Sequence, residues 1–150
     1  MIFLAMAALL AAPAQPTTAE DRAQLMAVVD QVYAAINSND VEAFKRMEVP
    51  EGMTFRLRYQ PDGTMKLVSK SNLQDLADTG AETRKFTEKY WDPTVLIHKD
   101  MAVFWAPYSF DIDGKRSHCG VDVFDFIRVK GEWKLANSMW TVEPDGCPKK

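Results

Sequence analysis

The sequence is poor in the residues that usually name a reaction. Its 150 residues hold two cysteines and two histidines. Cys119 and Cys147 lack the Cys-x-x-Cys spacing of a redox pair. His118 and Cys119 are neighbours on a strand, so they point to opposite faces and cannot share a metal. No metal or cofactor is called for. Basic residues do not dominate: 18 Lys and Arg stand against 21 Asp and Glu, a formal charge of −3. They are scattered, and Lys149-Lys150 is too short to make a patch, which argues against a nucleic-acid-binding face. No apolar run reaches the roughly 20 residues of a membrane-spanning helix. Internal repeats and low-complexity tracts are also absent.

What is present starts with an apolar opening, Met1 to Ala14. Ala12 and Ala14 stand at the −3 and −1 positions of an Ala-x-Ala cleavage site, so residues 1–14 read as a secretory signal peptide, although no Lys or Arg precedes the apolar core. A buried N-terminal helix is the alternative. Residues 15–150 are then one domain, enough for a single core. The mature protein is expected in the periplasm or secreted, with no membrane attachment after cleavage. An oxidising compartment favours a disulfide between Cys119 and Cys147. If Lys130-Gly131 is a two-residue turn, Cys119 lies opposite Val142, and Glu143–Gly146 folds back to bring Cys147 near. The bond would contribute roughly 3.5 kcal/mol in the chain-entropy model. Free thiols are the other reading.

Thr18, followed by Glu20 and Asp21, marks a helix start. Leu25, Val29, Val32, Tyr33 and Ile36 then form one apolar helical face. Asn37-Ser38-Asn39-Asp40 ends that helix, and Asp40 caps a short second one over Val41–Met47. Thr54–Tyr59 alternates as a half-buried strand, and Pro61-Asp62-Gly63 turns it into Thr64–Val68. Ser71–Asp78 reads as a third helix, stopped at Gly80. Lys85–Ile97 is extended, with a bend at Asp92-Pro93 because proline cannot donate to a ladder. Three long strands follow: Met101–Ile112, Ser117–Val129 and Glu132–Val142, joined by Asp113-Gly114 and Lys130-Gly131 hairpin turns. The order gives an α+β fold, with helices gathered on one face of a curved antiparallel sheet.

Two segments carry a family resemblance. Ala27 to Asp40 is similar to the "helix then N-x-x-D" opening of the nuclear-transport-factor-2-like (NTF2-like, SnoaL-like) superfamily, and Gly131-Glu132-Trp133-Lys134-Leu135 resembles the start of its last strand. Ser117–Asp122 with Glu143–Cys147 looks like exported bacterial members related to the lumazine-binding group. The resemblance implies a cone-shaped domain over residues 15–150. It does not carry over the family's known chemistry. The helix-1 tyrosine of the ketosteroid isomerases falls on Val32, and Tyr33 points about 100° away on a 3.6-residue helix. Their general-base aspartate falls within Phe55–Tyr59, which has no carboxylate. The paired pocket histidines of scytalone dehydratase have only His98 and His118 to match, and His98 sits in a turn.

Ladder pairing across the two turns assigns faces, since side chains alternate with a period of two. One face gathers Trp105, His118, Asp122, Phe124, Trp133, Leu135, Asn137 and Met139. A slip at Pro107 would exchange Trp105 with Phe104. Trp133 and Leu135 are interior in the family pattern, so this face is taken as concave. The candidate ligand site is then Trp105, Phe124 and Met139 around His118, Asp122 and Asn137, with Tyr33 reaching in from the helix. Asp122 is the candidate acid or base, because burial beside aromatics raises a carboxyl pKa; the plainer reading is that it only bonds a loop N–H or an arginine. The other face is also apolar and suggests a homodimer packed sheet to sheet. Three functions stay open: a binding or accessory protein for a small hydrophobic ligand, a cofactor-free lyase or isomerase using Asp122, and an interaction module with a filled cone.

Overall fold

The computed structural model describes residues 18–148, so the expected signal peptide, residues 1–14, lies outside the described residues. The elements are α1 (Ala19–Ser38), α2 (Val41–Met47), β1 (Met53–Tyr59), β2 (Met65–Ser71), α3 (Asn72–Ala81), β3 (Phe86–Tyr90), β4 (Thr94–His98), β5 (Met101–Ile112), β6 (Lys115–Val129) and β7 (Glu132–Val142). Among the described residues no helix is long and apolar enough to cross a membrane.

Side chains fix the helix ends. Thr18 accepts the Asp21 N–H while Asp21 accepts the Thr18 N–H, a capping box. Asn39 closes α1 in the left-handed region, and Asp40 takes the Ala43 N–H to begin α2. Ser71 and Gln74 form the second capping box, and α3 runs through Gly80 to Ala81. Both long hairpins turn on two residues with positive φ, Asp113-Gly114 and Lys130-Gly131, the type I′ geometry that matches strand twist.

The strands form one sheet in the order β2-β1-β7-β6-β5-β3, with β4 pairing β5 beyond the bend. The sheet is mixed, which corrects the wholly antiparallel expectation: β1 runs parallel to β7, with Thr54 beside Ser138. That direction is set before β1 begins. Glu48, just past α2, already makes a parallel bridge with Leu135, and the Val49 N–H donates to the Leu135 carbonyl.

Helix α1 lies across the concave face. Its Leu25, Val29, Val32 and Tyr33 pack with Phe104, Phe124, Phe126, Trp133 and Leu135 into one core, each fully buried aliphatic or phenyl side chain contributing about 1.5–3 kcal/mol. Arg128 fastens the start of α1, its guanidinium 2.5 Å from the Asp21 carboxylate and 4.5 Å over the Trp133 ring.

Two bulges decide which side chains reach that face. Asp111 pairs with Arg116 but Phe110 pairs with His118, leaving Ser117 as an extra residue. Phe126 pairs with Leu135 but Asp125 pairs with Asn137, leaving Ala136 extra. An extra residue flips every side chain beyond it. Phe104, Ala106, Tyr108 and Phe110 therefore turn inward with Asp122 and Phe124, and Trp105 turns out. Beyond Ala136, Ser138, Trp140 and Val142 turn inward, while Asn137 and Met139 leave the concave face. The inward placement of Trp105, Asn137 and Met139 is thus corrected; Trp105 and Met139 are each 42% exposed. Pro107 pairs in register with Val121 and is not where the ladder slips.

The Ala136 bulge is held by polar groups. Buried Asn72 donates to the carbonyls of Val49 and Ala136, and Asn137 accepts the Met53 N–H. Gly52 approaches so closely that a Cβ there would stand 1.7 Å from the Ala136 oxygen. The bulge also moves the partner of Cys119 from Val142 to Glu143. The chain still folds back after Glu143, and Cys119 and Cys147 are joined across a separation of 28 residues.

Candidate functional site

Strand β1 brings an unexpected set of side chains to the concave face. Because Thr54, Arg56 and Arg58 lie beside Ser138, Trp140 and Val142, they point inward. The apolar half of the strand, Phe55, Leu57 and Tyr59, faces the convex side. One cross-strand row now reads Arg56, Trp140, Asp122, Ala106 from β1 to β5. Beside it opens a cleft of about 430 Å³, walled by Arg56, Arg58, Glu88, His118, Asp122, Phe124 and Trp140 among others.

Asp122 anchors its floor. It is 2% exposed and accepts the Tyr33 hydroxyl at 2.6 Å. Glu88, also buried, shares a hydrogen bond with it. Burial raises both carboxyls, Glu88 well above the ordinary range, and the Asp122 charge raises Glu88 further. Two buried carboxyls so close do not both ionise readily, and the hydrogen bond donated by Tyr33 favours the charge on Asp122. Burial outweighs the hydrogen bonds that Asp122 makes with Tyr33 and Glu88, so its pKa is also up. The Tyr33 hydroxyl, buried beside both acids, stays protonated.

Asn37 sets the height of Glu88. Its side-chain amide donates to the Glu88 carbonyl and accepts the Glu88 N–H. The Asn at the end of α1 thus positions the second acid of the site, while Asn39 donates to the Arg84 carbonyl.

Aromatic groups surround the acids. Phe104 stacks on Phe124 with centroids 5.5 Å apart, and Tyr33 sits 4.7 Å from Tyr90. Tyr108 reaches across Gly120 to donate to the Thr141 carbonyl at 2.7 Å. His118 stacks on Phe110 at 5.0 Å, and its ring nitrogen Nδ1 lies 3.0 Å from the Ser117 hydroxyl. Burial, then the charges of Arg58, Arg56 and Arg116, push His118 down to about 4, so it is neutral at pH 7. On the opposite wall Glu48 is pushed up to about 8 by burial and by Asp75.

Four of the seven expected ligand residues meet here. Asp122, His118 and Phe124 line the cleft. Tyr33 lies beneath the floor and is committed to Asp122. Trp105, Asn137 and Met139 belong to the other side of the sheet or to the bulge. Arg56, Arg58, Glu88 and Trp140 went unrecognised. For Glu88 there was a signal: it takes the period-two position between Phe86 and Tyr90, on an otherwise aromatic strand face.

A larger, shallower groove of about 810 Å³ runs between α1, α2 and the β6–β7 turn. Its Lys134 and Glu132 pair with each other at 2.8 Å, and it holds no buried acid. Among the described residues no group of three or more His, Cys, Asp or Glu side chains comes together to hold a metal.

No protein-family model matches the sequence, and no curated protein matches it. Solved structures do. A protein of unknown function with a cystatin-like fold from Nostoc punctiforme superposes with a TM-score of 0.69 at 14% identity, covering 87% of this chain and 97% of that one. An NTF2-like protein from Cytophaga hutchinsonii gives 0.68 at 15% identity over 81% and 97%. An NTF2-like protein of unknown function from Pseudomonas putida gives 0.68 at 14% identity over 89% and 100%. At these identities the likeness is one of fold and does not single out the lumazine-binding group. A curved mixed sheet with helices on its concave face, matched over nearly the whole of each neighbour, is the NTF2-like cone, and this chain has the NTF2-like fold.

Proposed function

We propose that this is an exported small-molecule-binding protein whose ligand occupies the concave cleft. One observation carries the reading: a cavity of about 430 Å³ in which buried polar groups converge on an aromatic wall. The Cys119–Cys147 disulfide supports a location outside the reducing cytoplasm. The exposed Trp105, Met139, Ile127 and Leu96 support a homodimer through the convex side, which light scattering of the purified protein tests.

Native mass spectrometry of the mature protein from its own host tests the reading of the cleft. An added mass that leaves on denaturation, and is lost when Phe124→Trp fills the cleft, supports it. Recovery of only the bare chain, with no binder in a screen of small organic molecules, overturns it.

A catalytic reading draws on a different observation, the carboxyl pair. Glu88 and Asp122, both raised by burial, next to Tyr33 and lining the cleft, form a carboxyl pair able to share and pass a proton. Asp122→Asn separates the two functions: a binding protein keeps its ligand in that variant, whereas an enzyme keeps binding and loses turnover.

A further inference from the structure

The acids around the cleft are nearly all spoken for. Asp78 pairs with Lys70, and Asp75 lies 3.8 Å from the same ammonium. Glu82 holds Arg84 through two hydrogen bonds, at 2.9 and 2.5 Å. Glu88 and Asp122 hold each other, and Glu48 is mostly protonated at neutral pH. The cations are not so fully used.

Arg56 and Arg58 are the cations left over. Among the described residues neither side chain forms a hydrogen bond or an ion pair, and the Arg56 Nε is buried without an acceptor. Asp75 feels the Arg56 charge but does not bond it. The two arginines stand two positions apart on the same face of β1, about 7 Å along the strand. Both charges are felt at His118, and that of Arg58 at Tyr108, so they act within the cleft. Arg56 is half-buried with its Nε lacking an acceptor, while Arg58 on the same face is exposed to solvent. An anion between them supplies that acceptor and offsets the two like charges. A carboxylate suits the planar fork of arginine, which offers it paired N–H donors.

The row beside Arg56 sets the rest of the ligand. Trp140 comes next and offers a flat apolar surface. Asp122 follows, and its distance from Arg56 is two strand spacings, about 10 Å between Cα atoms. That is the length of a two-ring organic acid. We propose that the cleft takes a small aromatic carboxylate, its anion gripped by Arg56 and Arg58, its flat body on Trp140, and its far end toward Asp122 and His118. This rests on the concave cleft being the ligand site.

The test compares 2-naphthoate with its neutral isostere 2-naphthamide by titration calorimetry. Binding is located through the Trp140 indole N–H resonance of ¹⁵N-labelled protein, assigned with Trp140→Phe. The expected result is binding of the acid at least tenfold tighter than the amide, with the Trp140 signal shifting. In Arg56→Gln/Arg58→Gln the acid should fall to the affinity of the amide, and rising salt should weaken only the acid in the natural protein. Equal affinities of acid and amide at Trp140 would overturn the carboxylate assignment and leave the ligand cleft standing. Failure of both compounds to move Trp140 would overturn the carboxylate assignment and the cleft with it. The acid–amide comparison uses the unaltered protein, so it stands even if the double variant does not fold.

Discussion

The concave face has two ends built from the same strands, and they differ in kind. Toward the β6–β7 turn, Phe126, Trp133 and Leu135 meet Leu25, Val29 and Val32 of α1 and close into a dry core. Toward the other end, past Asp122, the same strands present His118, Tyr108 and Trp140 to an open cleft, joined by Arg56 and Arg58 from β1. The change falls where the Ala136 bulge inverts β7 and where α1 runs out at Asn39. The helix determines what is core, and the bulge determines what the uncovered remainder displays. A packed core and an open polar cleft are thus stacked along one surface, with Asp122 and Tyr33 at the seam.

Substitutions at each end should separate the two roles. Phe104→Ala, at a position with no exposed surface, should lower unfolding free energy by about 3–5 kcal/mol; urea denaturation measures it, and a loss under 1 kcal/mol would mean the core is loosely packed. Gly52→Ala attacks the boundary. A methyl there meets the Ala136 oxygen, so a loss of about 1–3 kcal/mol is expected from forced backbone movement. Amide chemical-shift changes should then centre on Ala136–Ser138.

Acidity probes the polar end. Glu48 has its folded pKa at about 8 against an ordinary 4.5. Between those values the folded protein keeps a proton that the unfolded chain has released, so stability falls as pH rises from about 4.5 to 8 and levels off above. The group is partly exposed, which screens the effect to the order of 1 kcal/mol. Glu48→Gln should therefore raise the urea midpoint at pH 8 and hardly move it at pH 4. Glu88 acts with the same sign, so the variant flattens the decline without abolishing it. An unchanged slope would show Glu48 to be solvated and ionised. The smallest effect is expected at the mouth: Arg58→Gln should change stability by less than about 0.5 kcal/mol, against a large change in anion affinity.

Much of the fold was legible because it rests on local chemistry. Thr18, Asp40 and Ser71 announce the helix starts, and Asp113-Gly114 and Lys130-Gly131 announce the hairpins. The pairing of Cys119 with Cys147 could be read from strand geometry in outline, with Glu143 rather than Val142 as the ladder partner of Cys119. What could not be read was parity. Ser117 and Ala136 carry no bulge signature, because neither is a glycine or a proline; Ala136 is extra only because Asn72, Gly52 and Asn137 converge on it from elsewhere in the chain. Asp122, Phe124 and His118 kept their side of β6, while the partner strands turned over around them. The parallel docking of β1, which delivers both arginines, depends on where α2 releases the chain and has no mark in β1 itself.

That docking has a consequence for how the chain comes together. Met53 donates to Asn137, 84 residues further along, so the β1–β2 hairpin has no sheet to join until β7 exists. Helix α1 likewise waits for Phe124, Phe126 and Trp133. Whether the chain emerges from a ribosome or a translocation channel, the β1–β2 hairpin stays unattached to the rest of the sheet until the last strand is free. The closing step is then one of the longest-range contacts in the molecule, which predicts slow, late folding and prolonged exposure of the N-terminal apolar face to chaperones and proteases.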